Sequence, residues 1–166
     1  MLAFALTARQ DSPKTATAAS PSAAVSVWAP PSPSDKTQAA CVKVFAALPI
    51  QLAGLDARRT ETDSSFVAAW GDPPIVLRCG VSKPSVFGTA QAAQLVDVNG
   101  VLWQPDPQRA QTVYTSIDRA VYVEVTVPAG QDQPLSALTP ALTALPAVCT
   151  ATDAAGQTKP GLPICK

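Results

Sequence analysis

Four arginines and four cysteines carry most of the chemistry open to this chain. A guanidinium grips phosphate or carboxylate through two parallel N–H bonds. If strand pairing gathers Arg58, Arg59, Arg78 and Arg119 on one exposed sheet face, they form an anion-binding site. The competing reading pairs them with Asp56, Asp72, Asp97 and Glu124 as ordinary surface ion pairs.

Other reaction centres are scarce. The 166 residues contain no histidine. That removes the Ser-His-Asp and Cys-His forms of nucleophilic catalysis and every His-containing zinc site. Glu61 and Glu124 are the only glutamates, so acid–base work would fall mainly on Asp. Asp72 in Gly-Asp-Pro-Pro is a candidate carboxylate, but Asp is also a normal turn former and has no partner carboxylate at a recognisable spacing. Ser64, Ser65 and Ser82 lack a Ser-x-x-Lys arrangement. Trp70, Trp103 and Tyr122 suit either sugar stacking or a core. The expectation is a chain with no catalytic residue, no cofactor and no metal.

Cys41, Cys79, Cys149 and Cys165 form an even set without C-x-x-C spacing, which favours disulfides and an oxidising compartment over zinc. Three connectivities are open. The pairing Cys41–Cys79 with Cys149–Cys165 is favoured, because the last two bracket a tail that needs a staple. Lys plus Arg and Asp plus Glu both count 12, and the pI is near 6.1. A neutral chain of this kind is not expected to bind nucleic acid.

These groups need elements to position them. Residues 1–8 are apolar and read as the remnant of an export or membrane-anchor segment whose start lies upstream. Residues 9–36 are rich in Pro, Ser, Thr and Ala and read as a disordered linker, a tether carrying one unusual aromatic, Trp28. A single domain is expected over 37–148, with a stapled tail over 149–166. Cys41, Val44, Phe45 and Leu48 mark one face of a helix over Thr37–Leu48. Strands are expected at Leu55–Thr62, Phe66–Trp70, Ile75–Cys79, Leu95–Val98, Val101–Trp103, Thr112–Thr115 and Ala120–Val127. Asn99-Gly100 predicts a type I′ hairpin turn. Val121, Val123, Val125 and Val127 share one face of the last strand. Leu135, Leu138, Leu142 and Leu145 mark a closing helix, with Pro140 a concern near its middle. The fold class is α+β: an antiparallel sheet of about six strands, or seven if every segment above pairs, with N- and C-terminal helices packed on one face.

The run Ala68 to Val81, AAWGDPPIVLRCGV, resembles an actinobacterial envelope family of secreted or membrane-anchored proteins, a domain of unknown function. Weaker matching pieces are Cys41 with Leu48-Pro49, Arg58-Arg59-Thr60, Val98 to Trp103, Arg119, and Tyr122 to Val125 ending in Val127-Pro128. The resemblance implies an extracytoplasmic domain and supports the Cys41–Cys79 pairing; it implies no reaction. The expected role is a non-catalytic binding or interaction module. Its partner would be an envelope protein or cell-wall component, and a membrane tether would lie upstream. The alternatives are a binder of a small anionic ligand or glycan through the arginine-bearing face, and an Asp-dependent hydrolase.

Overall fold

The structure, a computed structural model, describes residues 23–31, 34–85, 95–131 and 134–148. The expected export remnant, the tail and the Cys149–Cys165 bridge lie outside the described residues.

Helix α1 spans Asp35–Ala46. It starts two residues before the periodicity indicates, because Ser34 caps it: the Ser34 hydroxyl accepts from the Thr37 N–H at 3.3 Å. Asp35 in the first turn and Lys43 in the last suit the helix dipole. Cys41 and Val44 are its buried residues.

Eight strands follow: β1 (Gln51–Leu52), β2 (Leu55–Arg58), β3 (Val67–Trp70), β4 (Ile75–Cys79), β5 (Val96–Val98), β6 (Val101–Pro107), β7 (Gln111–Ser116) and β8 (Val123–Pro128). Helix α2 (Pro134–Thr143) is the last element among the described residues. The strands form one open antiparallel sheet in the order β1-β2-β3-β4-β8-β7-β6-β5. Each half is a meander of neighbouring strands, and the halves join where β4 pairs with β8. All but one of these connections are made between successive elements, which keeps most pairing local.

The expected count of about six strands is therefore too low. Strand β1 is only two residues long, and its turn to β2 uses Ala53 and Gly54, both at positive φ (51° and 79°). Ala-Gly is a weak hairpin signal beside Asn-Gly, so periodicity missed it. The Asn99-Gly100 turn has φ of 52° and 80°, as a type I′ turn requires. Strand β6 runs past Trp103 through Pro105 and Pro107, which pair with Tyr114 and Thr112 of β7. Strand β5 covers β6 only from Val101 to Trp103, so among the described residues β6 is an edge strand beyond that point and tolerates proline. Strand β8 begins at Val123 rather than Ala120, because residues 117–122 form a loop with its own polar contacts.

The inner face of the sheet holds the core. Cys41 and Val44 of α1 meet Leu135, Leu138, Ala141 and Leu142 of α2 over Ile75, Leu77, Val123 and Val125. The expected valine face thus lies under both helices. Cys41 and Cys79 form a disulfide, joining α1 to β4. Pro134 opens α2 at a position where its missing N–H costs nothing, and α2 continues through Pro140. Burying one such Val or Leu side chain stabilises the fold by about 1.5–3 kcal/mol.

The Trp70-Gly71-Asp72-Pro73-Pro74 run forms the tight β3–β4 connection. Gly71 has φ of +75°, and a Cβ there would lie 2.7 Å from Leu55 Cδ1. Gly71→Ala combines a disfavoured backbone region with a clash against a packed side chain. It is expected to lower stability by about 1–3 kcal/mol, read from a urea midpoint. By contrast Gly54→Ala has no atom within 4 Å of its Cβ and carries only the backbone strain, so it should cost less.

Candidate functional site

The sheet has a second face, away from the helices. Cross-strand pairing aligns one polar row over it: Arg78 pairs with Glu124, Glu124 with Thr115, and Thr115 with Gln104. Side chains alternate along strands, so these residues oppose the Leu77 and Val125 of the core. Arg78 Nε donates to Glu124 Oε1 at 2.9 Å, and its Nη2 contacts the same oxygen. The pair is half-buried, with side-chain exposures of 27% and 16%.

Residues 23–31, part of the stretch read as linker, are placed against this face. Val25 is buried and bridges Thr60 in parallel. Its N–H donates to Arg59 O at 2.8 Å, and its carbonyl accepts from Glu61 N–H at 2.9 Å. Arg58 Nη2 donates to Ala23 O at 2.6 Å, and Arg78 Nη1 to Trp28 O at 3.5 Å.

Two hollows flank the polar row. One is a cleft of about 370 Å³ whose walls include Arg78, Glu124, Thr115, Ser82, Lys83 and Asp106. Pro30 and Pro31 of the N-terminal segment close one side of it. The second is a groove of about 590 Å³ between Val25–Trp28, the Pro73-Pro74 turn and the β7–β8 turn. Arg78 lines both.

The four arginines do not converge. Arg58 is a clamp: Nη1 donates to Gly71 O at 2.7 Å, Nη2 holds Ala23, and Asp72 lies 4.0 Å away. Arg59 is exposed and contributes its main chain to the Val25 bridge. Arg78 lies on the outer face, paired with Glu124 as the competing reading had it. Arg119 is buried in the 117–122 loop. It donates to Asp118 Oδ2 at 3.0 Å and to Gly100 O at 2.6 Å, tying the Asn99-Gly100 turn to that loop. Asp118 was not foreseen as its partner. Burial pushes the Asp118 carboxyl above its ordinary value, while hydrogen bonds and the Arg119 charge pull the other way. Both side chains are buried, and their bonds hold the 117–122 loop to the Asn99-Gly100 turn.

The aromatics also divide. Trp103 is fully buried, and Trp70 is 2% exposed, its indole N–H donating to Pro49 O at 3.3 Å. Neither can stack a sugar. Trp28 is 86% exposed. The sequence marks it only as an unusual aromatic of the tether, because a Pro-rich stretch has no periodic context to place it. Asp72 is exposed at its turn, with Arg58 as its ion-pair neighbour. Among the described residues no group of three His, Cys, Asp or Glu side chains could hold a metal ion. Among the same residues no helix is long and apolar enough to cross a membrane.

No curated protein and no solved structure matches the chain. A family-level match covers residues 1–149, nearly the whole chain, and includes the β3–β4 turn, the disulfide and the outer-face row. The chain belongs to the family described as protein of unknown function (DUF3515).

Proposed function

We propose that this chain is an extracytoplasmic domain of the cell envelope, secreted or membrane-anchored, that acts as a non-catalytic binding module through its outer sheet face. The observation that carries the reading is the polar cleft beside the Arg78–Glu124 pair, built on a rigid sheet and bordered by the chain's own N-terminal segment. Sites built on sheets hold their geometry well, and a few convergent polar groups in a concavity of this size are what small ligands or chain segments require. The disulfide between α1 and β4 supports an oxidising compartment. The likeness of the Trp70–Gly80 run to an actinobacterial envelope family supports the same placement. The partner is then an envelope protein or a cell-wall component.

A second reading has one observation in its favour: Arg78 and Lys83 both line the cleft, which suits a small anionic ligand. Glu124 and Asp106 on the same walls weaken the positive field and place this reading second.

Co-purification from the native envelope tests the proposal. The wild-type domain should retain a reproducible partner. Ser82→Arg, which fills the cleft from an exposed position, should reduce recovery about tenfold or more. Equal recovery of all partners by both proteins would remove the cleft from the binding surface.

A further inference from the structure

Trp28 combines exposure with a fixed backbone. A large indole left 86% exposed is an uncompensated apolar surface. Yet the segment bearing it is held at Ala23, Val25 and Trp28 by Arg58, by main-chain bonds to Arg59 and Glu61, and by Arg78. Pro30 and Pro31 restrict the backbone just beyond. The indole is therefore presented on an ordered platform, which lowers the entropy lost when something stacks on it.

The groove beside it has a distinct chemistry. Its walls carry Trp28, Pro73, Pro74 and Pro128, and its polar side chains include Gln111 and Thr126. Arg78 is the ionisable residue among its lining, and Glu124 already meets that charge. The groove thus offers an apolar face and neutral hydrogen-bonding groups, with no net charge to select an ion. At about 590 Å³ it falls within the roughly 300–1,000 Å³ usual for ligand sites.

We infer that this groove binds a neutral polysaccharide chain, with Trp28 stacking on the C–H face of one sugar ring while Gln111 and Thr126 meet hydroxyl groups. A pyranose ring is apolar on its faces and polar at its edge. It needs one flat aromatic and a few neutral donors and acceptors. A protein partner would need a cluster of apolar anchors at the centre of a larger patch. Among the described residues, the other exposed large apolar side chains, Val42, Ile50, Val96 and Val148, lie elsewhere and do not line the groove. The inference rests on the outer face being the binding surface and names the partner class for it.

Tryptophan fluorescence reads the site directly, because Trp70 and Trp103 are buried and Trp28 is not. The full chain is titrated with cellohexaose, maltohexaose, chitohexaose and soluble arabinogalactan. At least one should give a saturable change in emission. Trp28→Ala should abolish the change and weaken binding, measured by calorimetry, at least about tenfold. Trp28→Phe should keep part of it, and both variants should unfold at the wild-type denaturant midpoint. If no carbohydrate binds while co-purification yields a partner, the polysaccharide inference fails and the binding-module proposal stands. If a carbohydrate binds equally to Trp28→Ala, the groove assignment is wrong. If a Trp28-dependent partner proves to be a protein, the inference is overturned. If neither carbohydrate nor envelope partner is found, both fall.

Discussion

Arg119→Met should destabilise the domain by about 3–5 kcal/mol, the largest loss expected of any single substitution outside the hydrophobic core. The variant keeps the volume of the side chain but leaves the Asp118 carboxylate buried without its cation. Asp118 is 4% exposed and Arg119 7% exposed, so neither charge can turn to water. The Gly100 carbonyl loses its donor at the same time, loosening the Asn99-Gly100 turn from the 117–122 loop. Removing one partner of a buried pair costs more than removing both, since the surviving charge is the expensive part. The double variant Asp118→Asn with Arg119→Met should therefore recover part of the loss, as a double-mutant cycle would measure.

The deficit should also depend on pH. Burial already holds the Asp118 carboxyl above its ordinary value in the wild type. A carboxyl whose folded pKa is raised contributes stability that is fully present below its unfolded pKa and is lost as pH rises through the folded value. Without Arg119 the folded value rises further. The destabilisation of Arg119→Met should then be smaller at pH 4 than at pH 7, by urea unfolding at both. An equal deficit at both pH values would mean that the lost packing, and not the stranded charge, sets the cost. Arg78→Met should cost less, because the Arg78–Glu124 pair keeps part of its surface in solvent, which screens it.

The second large effect concerns the disulfide. The double variant Cys41→Ala with Cys79→Ala should lower stability by about 4 kcal/mol, given a sequence separation of 38 between the cysteines and the chain-entropy estimate for a loop of that length. Both cysteines are fully buried, so alanine is the cleaner test than serine, which would add a buried hydroxyl. The bridge joins α1 to the middle of the sheet, and without it α1 keeps the packing of Ala40, Val44 and Phe45. The expected signature is a fall in the guanidinium midpoint with the slope changed little. Loss of α1 alone would appear instead as a decreased slope, with less surface exposed on unfolding.

Much of this scaffold was legible from residue order, and the failures have physical causes. The four alternating residues Val121 to Val127 announced a half-buried strand, and Asn99-Gly100 announced the β5–β6 turn, because both signals are local. Strand β1 escaped because two residues carry no period. The length of β6 escaped because Pro105 and Pro107 carry no strand signal, and among the described residues it is the shortness of neighbouring β5 that accommodates them. Arg119 looked like a surface cation because nothing local shows that the Gly100 carbonyl will land beside it, 19 residues away in sequence. The anchoring of Val25 and of the Trp28 backbone escaped for the same reason: their partners, Thr60 and Arg78, are distant in sequence, and a Pro-rich segment gives no pattern to follow.

The sharpest test of function separates the two faces of the sheet in living cells. A photocrosslinking residue is placed at Ser82, on the outer-face cleft, or at Ala137, an exposed position on α2. The protein is recovered after irradiation of intact cells. Ser82 is expected to give a discrete adduct with an envelope component, reduced by excess unlabelled domain, and Ala137 to give none. An adduct from Ala137 alone, or adducts from Ser82 only with cytoplasmic proteins, would contradict an extracytoplasmic module that binds through its outer face.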